Sequence, residues 1–90
     1  MDNVSKFAEI ASDLTALYEK KNKAYGNSFG ETFQKLGLIS AVTRISDKYN
    51  RLCNLAVNEG IDTFGESIKD TLADMASYCI MTLIELEKLE

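Results

Sequence analysis

No proline interrupts any of the 90 residues, and only five glycines are available to break a helix. Proline removes a backbone donor and stops helices, and glycine weakens them. A chain that lacks the first and uses the second sparingly is built for long, uninterrupted helices. The breaks fall at Gly26, Gly30, Gly37, Gly60 and Gly65. Nothing alternates with period two over a useful length, so no sheet is predicted.

Hydrophobic spacing locates the helices between these breaks. Val4, Phe7, Ile10, Leu14, Leu17 and Tyr18 recur at helical intervals and predict a first helix over about 3–23. It should stop at Ala24, because Tyr25-Gly26-Asn27-Ser28 has turn chemistry. A short helix is predicted over Glu31–Leu36, ended by Gly37. A third runs over 38–58, with Leu38, Ala41, Val42, Ile45, Tyr49, Leu52, Cys53 and Ala56 on its apolar side. A fourth starts at Phe64 or Gly65 and ends near Lys88. Thr63 and Glu66 have the spacing of a capping box at its start. Its apolar stripe is Ile68, Leu72, Met75, Cys79, Leu83 and Leu86. The expected fold is all-α: an antiparallel bundle of three long helices plus one short one, in a single domain over 1–90.

A chain this short buries only about 60–65% of its unfolded surface, so self-association is expected to supply part of its stability. Tyr78 and Met81 fall outside the main stripe of the fourth helix and predict a surface for a second subunit or a ligand. Cys53 and Cys79 sit in apolar runs and are expected to be buried thiols. Without a secretory leader pattern or an apolar run near membrane-spanning length, the chain reads as cytoplasmic. No membrane partner is expected.

Net charge is −4, which disfavours a nucleic-acid polymer as partner. The distribution carries more information. Residues 1–19 sum to −3, residues 20–51 to +5 and residues 52–90 to −6. A positive centre between negative ends suits a small anion, or complementary charge between neighbouring helices.

Three constellations follow. Glu66, Asp70 and Asp74 are spaced by four, which stacks carboxylates on successive turns of one helix face, as a Mg²⁺ site would require. Arg44, Asp47, Lys48 and Arg51 form a polar row in which Asp47 can orient two guanidinium groups toward phosphate. Lys20, Lys21 and Lys23 end the first helix beside Tyr25 and Phe29, aromatic rings able to stack on a base. The absence of histidine excludes Ser-His and Cys-His nucleophiles and His-ligated zinc. No phosphate-cradling P-loop or dinucleotide fingerprint is present. Any catalysis would rest on carboxylates or metal-bound water.

Three stretches also carry a resemblance: Lys23-Ala24-Tyr25-Gly26-Asn27-Ser28-Phe29, Arg44-Ile45-Ser46-Asp47-Lys48-Tyr49-Asn50-Arg51-Leu52, and Glu66 through Tyr78 with its Asp70-Thr71-Leu72-Ala73-Asp74 centre. In order and spacing, over roughly 15–85, the chain resembles the nucleotide-modification-associated domain family of small phage and bacterial proteins. That family is similar to the all-α, MazG-like and dimeric dUTPase pyrophosphohydrolases. The resemblance implies an oligomeric helical bundle, a homodimer or larger. It also implies a nucleotide pocket at or near a subunit interface and Mg²⁺ held by acids on two helices.

The pyrophosphohydrolases pair a Glu-Glu-x-x-Glu run with a second acidic element. Glu66, Asp70 and Asp74 can stand for the second; Glu9, Asp13 and Glu19 do not form the first. The resulting expectation is a protein that binds a small phosphorylated nucleotide without turnover and without a cofactor. A phage sponge for a cyclic nucleotide or cyclic ADP-ribose signal, acting in the host cytoplasm, fits it. The expected ligand-binding residues are Lys20, Lys23, Tyr25, Phe29, Arg44, Asp47, Lys48 and Arg51. The alternative is a Mg²⁺-dependent pyrophosphohydrolase with Glu66, Asp70 and Asp74 as metal ligands, assisted by Asp47 or Glu19. A non-catalytic helical interaction module is the third expectation.

Overall fold

A computed structural model describes residues 2–58 and 67–90. Four helices appear in the order α1 (Asn3–Tyr25), α2 (Ser28–Leu36), α3 (Leu38–Val57) and α4 (Ile68–Lys88). No strand occurs among the described residues. The all-α expectation holds at this level.

The helix ends follow local chemistry. Asp2 caps α1 by accepting the Ser5 backbone N–H at 2.8 Å. Ser67 caps α4 by accepting the Asp70 N–H at 3.0 Å, while the Asp70 carboxylate accepts the Ser67 N–H at 3.2 Å. This reciprocal capping box starts α4 at Ile68, not at Phe64 or Gly65, because Ser67 itself is extended. The predicted Thr63–Glu66 box lies outside the described residues. Helix α2 starts earlier than predicted, at Ser28. That puts Phe29 and Phe33 one turn apart on the same face.

Gly26 and Gly37 make the two tight turns. Their φ values of 69° and 76°, with ψ of −156° and −164°, occupy a region open essentially to glycine alone. Gly37→Ala is expected to cost about 1–3 kcal/mol through backbone strain, although no atom would clash with the new methyl group. Urea unfolding of the variant beside the wild type checks this.

The Ser5 N–H holds the Asp2 carboxyl below its ordinary value of 3.8. A depressed carboxylate contributes stability above its unfolded value and loses it as pH falls through the folded one. The first turn of α1 should therefore fray only below pH 3.8, read from exchange of the Ser5 amide.

Helices α3 and α4 form the main interface, α2 rests on both, and α1 touches α4. Lys48 meets Asp74, Arg44 meets Tyr78, and Ala41 clusters with Tyr78 and Met81. As the α3 number falls the α4 number rises, so the pair is antiparallel. Helix α1 also runs antiparallel to α4. Lys21 reaches Asp74, Tyr18 borders Ser77, and Leu14 borders Ile84. Extending that register carries the start of α1 to the C-terminal end of α4. Val4 and Phe7 accordingly remain 80% and 78% exposed.

The core is small: Phe29, Phe33 and Ala41 cluster beneath Tyr78 and Met81, with Leu55 buried separately. Its position corrects the expected stripes. Helix α4 faces its neighbours with Thr71, Tyr78, Met81, Thr82 and Glu85, about a third of a turn from Leu72, Cys79 and Leu83. Helix α3 is rotated likewise: Ala41 of the expected stripe is buried, Arg44, Lys48 and Leu55 turn inward beside it, and Leu38, Val42 and Tyr49 are left exposed. The cause is electrostatic as well as apolar. Rotation brings Lys48 within 3.0 Å of Asp74, realising the charge complementarity between segments. Both cysteines, expected to be buried, are consequently exposed. Tyr78 and Met81, expected outside the packing stripe, are part of the packed face.

Candidate functional site

Where the end of α1 crosses α3 and α4, a cleft of about 360 Å³ opens. That is within the size range of small-molecule sites. Its walls come from all four helices and the α1–α2 turn of one chain. Each wall has a local reason. Leu17, Tyr18 and Lys21 share one face of α1 at i, i+1 and i+4 spacing, so the apolar residues that dock on α4 carry Lys21 with them. Gly26 turns the chain sharply enough for Tyr25 and Phe29 to flank the same opening.

Cations and aromatic rings meet in this cleft. Tyr78 stacks on Phe29 with centroids 5.9 Å apart and planes at 19°. The Arg44 guanidinium carbon lies 5.9 Å from the Tyr78 centroid, within cation–π range. Asp74 forms ion pairs with Lys48 at 3.0 Å and with Lys21 at 3.6 Å. Two lysines from two helices therefore hold a single carboxylate, and Arg44 stands beside them over Tyr78. The arrangement can exchange that carboxylate for a ligand anion, with Arg44 offering a planar fork beside it.

The predicted residues separate into two groups. Arg44, Tyr25 and Phe29 line the cleft, and Lys48 reaches it through Asp74. Tyr25 is 76% exposed and presents an open ring. Phe29 is only 7% exposed and supports Tyr78, so its role is that of wall rather than stacking platform. Lys20, Lys23, Asp47 and Arg51 are not among the lining residues. Lys23 pairs with Glu19 at 3.8 Å on the surface. Asp47 is exposed and makes no ion pair with a described residue. Lys21, Tyr18, Ser77 and Asp74 line the cleft without having been picked out as ligand residues. The signal for Lys21 was present: it continues the α1 apolar stripe, whereas Lys20 and Lys23 point away from it.

The acidic row does not assemble as a metal cage among the described residues. Asp70 is committed to capping α4, and Asp74 to the two lysines. No group of three His, Cys, Asp or Glu side chains comes together there. Glu19 is held by Lys23, away from Asp74. Glu66 lies outside the described residues. Asp70 and Asp74 as placed do not fit a hard divalent ion, which takes several oxygens around one point.

These features define a small helical protein with a cationic, aromatic-lined cleft. Residues 21–86 match the model of the nucleotide modification associated domain 1 family. The chain belongs to that family. Searches of curated proteins and of solved structures gave no match. No described helix is long and apolar enough to cross a membrane.

Proposed function

We propose that this protein binds a small phosphorylated nucleotide in the α1–α3–α4 cleft and releases it chemically unchanged. The observation that carries the reading is the meeting of Lys21 and Arg44 with Tyr25 and Tyr78 around one opening, with Lys48 paired to the Asp74 that lines it. Phosphate exchanges with Asp74 for the two lysines and takes the Arg44 fork. The base stacks on the open face of Tyr25, and such stacking is worth about 1–3 kcal/mol. A cyclic nucleotide or cyclic ADP-ribose signal is the ligand class that suits non-catalytic capture, and a phage sponge is the biological role that uses it.

The family resembles the MazG-like pyrophosphohydrolases, so Mg²⁺-dependent hydrolysis is the competing reading. Two observations favour capture. The first acidic element of those enzymes has no counterpart in the sequence, and Asp70 and Asp74 already serve a helix cap and an ion-pair cluster. Capture in this form needs no cofactor.

Titration calorimetry with linear nucleotides, cyclic nucleotides and cyclic ADP-ribose tests the proposal. Saturable binding by at least one of them, unchanged by EDTA, is expected. No binding across the panel, or binding only with Mg²⁺, would overturn it.

A further inference from the structure

We propose that Glu85 builds a specificity subsite beside the cleft, selecting nucleotides whose nucleoside half carries two adjacent hydrogen-bond donors. The inference rests on the nucleotide reading above and adds what the ligand must present at its uncharged end. A second pocket, of about 270 Å³, adjoins the cleft and shares Tyr18, Asn22, Asn27, Phe29 and Met81 with it. Glu85 and Lys88 belong to the wall of this pocket and not to that of the cleft.

Glu85 is the first sign of a built site. It is 4% exposed, on the packing face of α4. Burying a carboxylate is costly unless its oxygens are paired, and an apolar residue would pack there without that cost. Its partner is the half-exposed Lys88, at 2.9 Å and one turn along the same helix. That contact engages Oε2 alone, and Oε1 has no partner among the described residues. The carboxylate therefore keeps lone pairs for a group that enters the pocket.

Asn27 is the second sign. It stands at the capping position of α2, yet its side chain makes no capping hydrogen bond. The amide lies over Gly30 instead: a Cβ there would come within 2.6 Å of Nδ2 and 2.7 Å of Oδ1. Glycine leaves the room that any other residue would fill. Asn27 is thus withheld from its helix and lines both cavities.

These groups fix what fits. An ionised carboxylate only accepts, whereas the Asn22 and Asn27 amides both donate and accept. Two adjacent donors satisfy Glu85 in a charge-assisted contact, and the amides take a neighbouring acceptor. A guanine edge offers N1–H and its amino group beside O6; a ribose offers its vicinal hydroxyls. A second phosphate would meet the like charge of Glu85. The reach also fits. The Arg44 guanidinium stands over Tyr78, and Tyr78 lies two helical turns, about 10 Å, from Glu85 along α4. A nucleoside monophosphate bridges that span.

Titration calorimetry with the monophosphates of guanosine, deoxyguanosine, adenosine and deoxyadenosine tests the subsite. A preference of roughly 10- to 100-fold is expected. It favours both guanine forms if the base edge enters, and both ribose forms if the sugar enters. Glu85→Gln should level that preference. Gly30→Ala should keep the helical circular dichroism and weaken the preferred nucleotide, because its methyl group displaces the Asn27 amide. Lys88→Ala should retain the preference, since it removes only a competitor for Glu85. Equal affinity for all four monophosphates would overturn the inference. So would Glu85→Gln lowering all four alike, or Lys88→Ala matching it, the marks of a merely structural ion pair. Failure of every monophosphate to bind overturns the subsite, whereas the capture reading falls only if the wider nucleotide panel is silent too.

Discussion

Arg44→Ala is expected to weaken nucleotide binding by roughly 10- to 100-fold, with unchanged helical circular dichroism. A hydrogen bond to a charged group is worth about 1.5–3 kcal/mol, and that range sets the magnitude. Arg44 is the cleft cation held over an aromatic ring and not in the Asp74 ion-pair cluster. A phosphate reaching it displaces no carboxylate. Arg44→Lys should recover only part of the affinity, because an ammonium lacks the planar fork. Lys20→Ala and Lys23→Ala should change little, since neither side chain lines the cleft. Asp74→Asn should act in the opposite direction and strengthen binding, because the ligand no longer competes for Lys21 and Lys48. In a metal-dependent hydrolase the same change would lower activity. Calorimetry across these variants gives the full pattern, and a loss with Lys23→Ala equal to that with Arg44→Ala would contradict the assignment.

Phe33→Ala is expected to produce the largest loss of stability of any single truncation. Phe33 is 5% exposed and sits in a core with very few fully buried apolar partners. Burying a phenylalanine and then deleting it costs about 3–5 kcal/mol, from lost transfer energy plus the cavity left behind. Small domains have on the order of 5–15 kcal/mol in total. The thermal midpoint should fall by more than about 12 °C. Phe7→Ala, at a ring that is almost wholly exposed, should shift stability by less than about 0.5 kcal/mol. Thermal melts at one fixed protein concentration compare the two without interference from association. Equal destabilisation by both would show that α1 packs differently from the arrangement described.

The helical character and most helix ends were legible because they depend on local signals: absent proline, glycine at Gly26 and Gly37, and apolar spacing of 3 and 4. The start of α4 was not, because two overlapping capping patterns compete within eight residues. Thr63 with Glu66 and Ser67 with Asp70 have the same spacing, and only the folded chain shows Ser67 acting as the cap.

Helix rotation was the larger gap. Periodicity identifies an apolar stripe but not what covers it. Helices α3 and α4 pack along the border between their apolar and charged faces, where Lys48 meets Asp74 and Arg44 meets Tyr78. The thiols of Cys53 and Cys79 come to the surface for that reason. The same rotation divided the basic row, bringing Arg44 and Lys48 to the cleft side and leaving Asp47 exposed. Asp74 was legible as part of an acidic row, and its neighbours were not. Spacing alone fitted either a metal site or complementary charge between helices, and the folded chain sets Lys21 and Lys48 at Asp74.

The proposed activity is capture of a nucleotide without cleavage. Its most direct test is a mass spectrum of the ligand released when a saturated, Mg²⁺-containing complex is denatured by heat after prolonged incubation. Recovery of the intact nucleotide in proportion to the protein is expected. Recovery of cleaved nucleotide with pyrophosphate or monophosphate, suppressed by EDTA or by Asp70→Asn, would contradict it and establish the hydrolytic reading in its place.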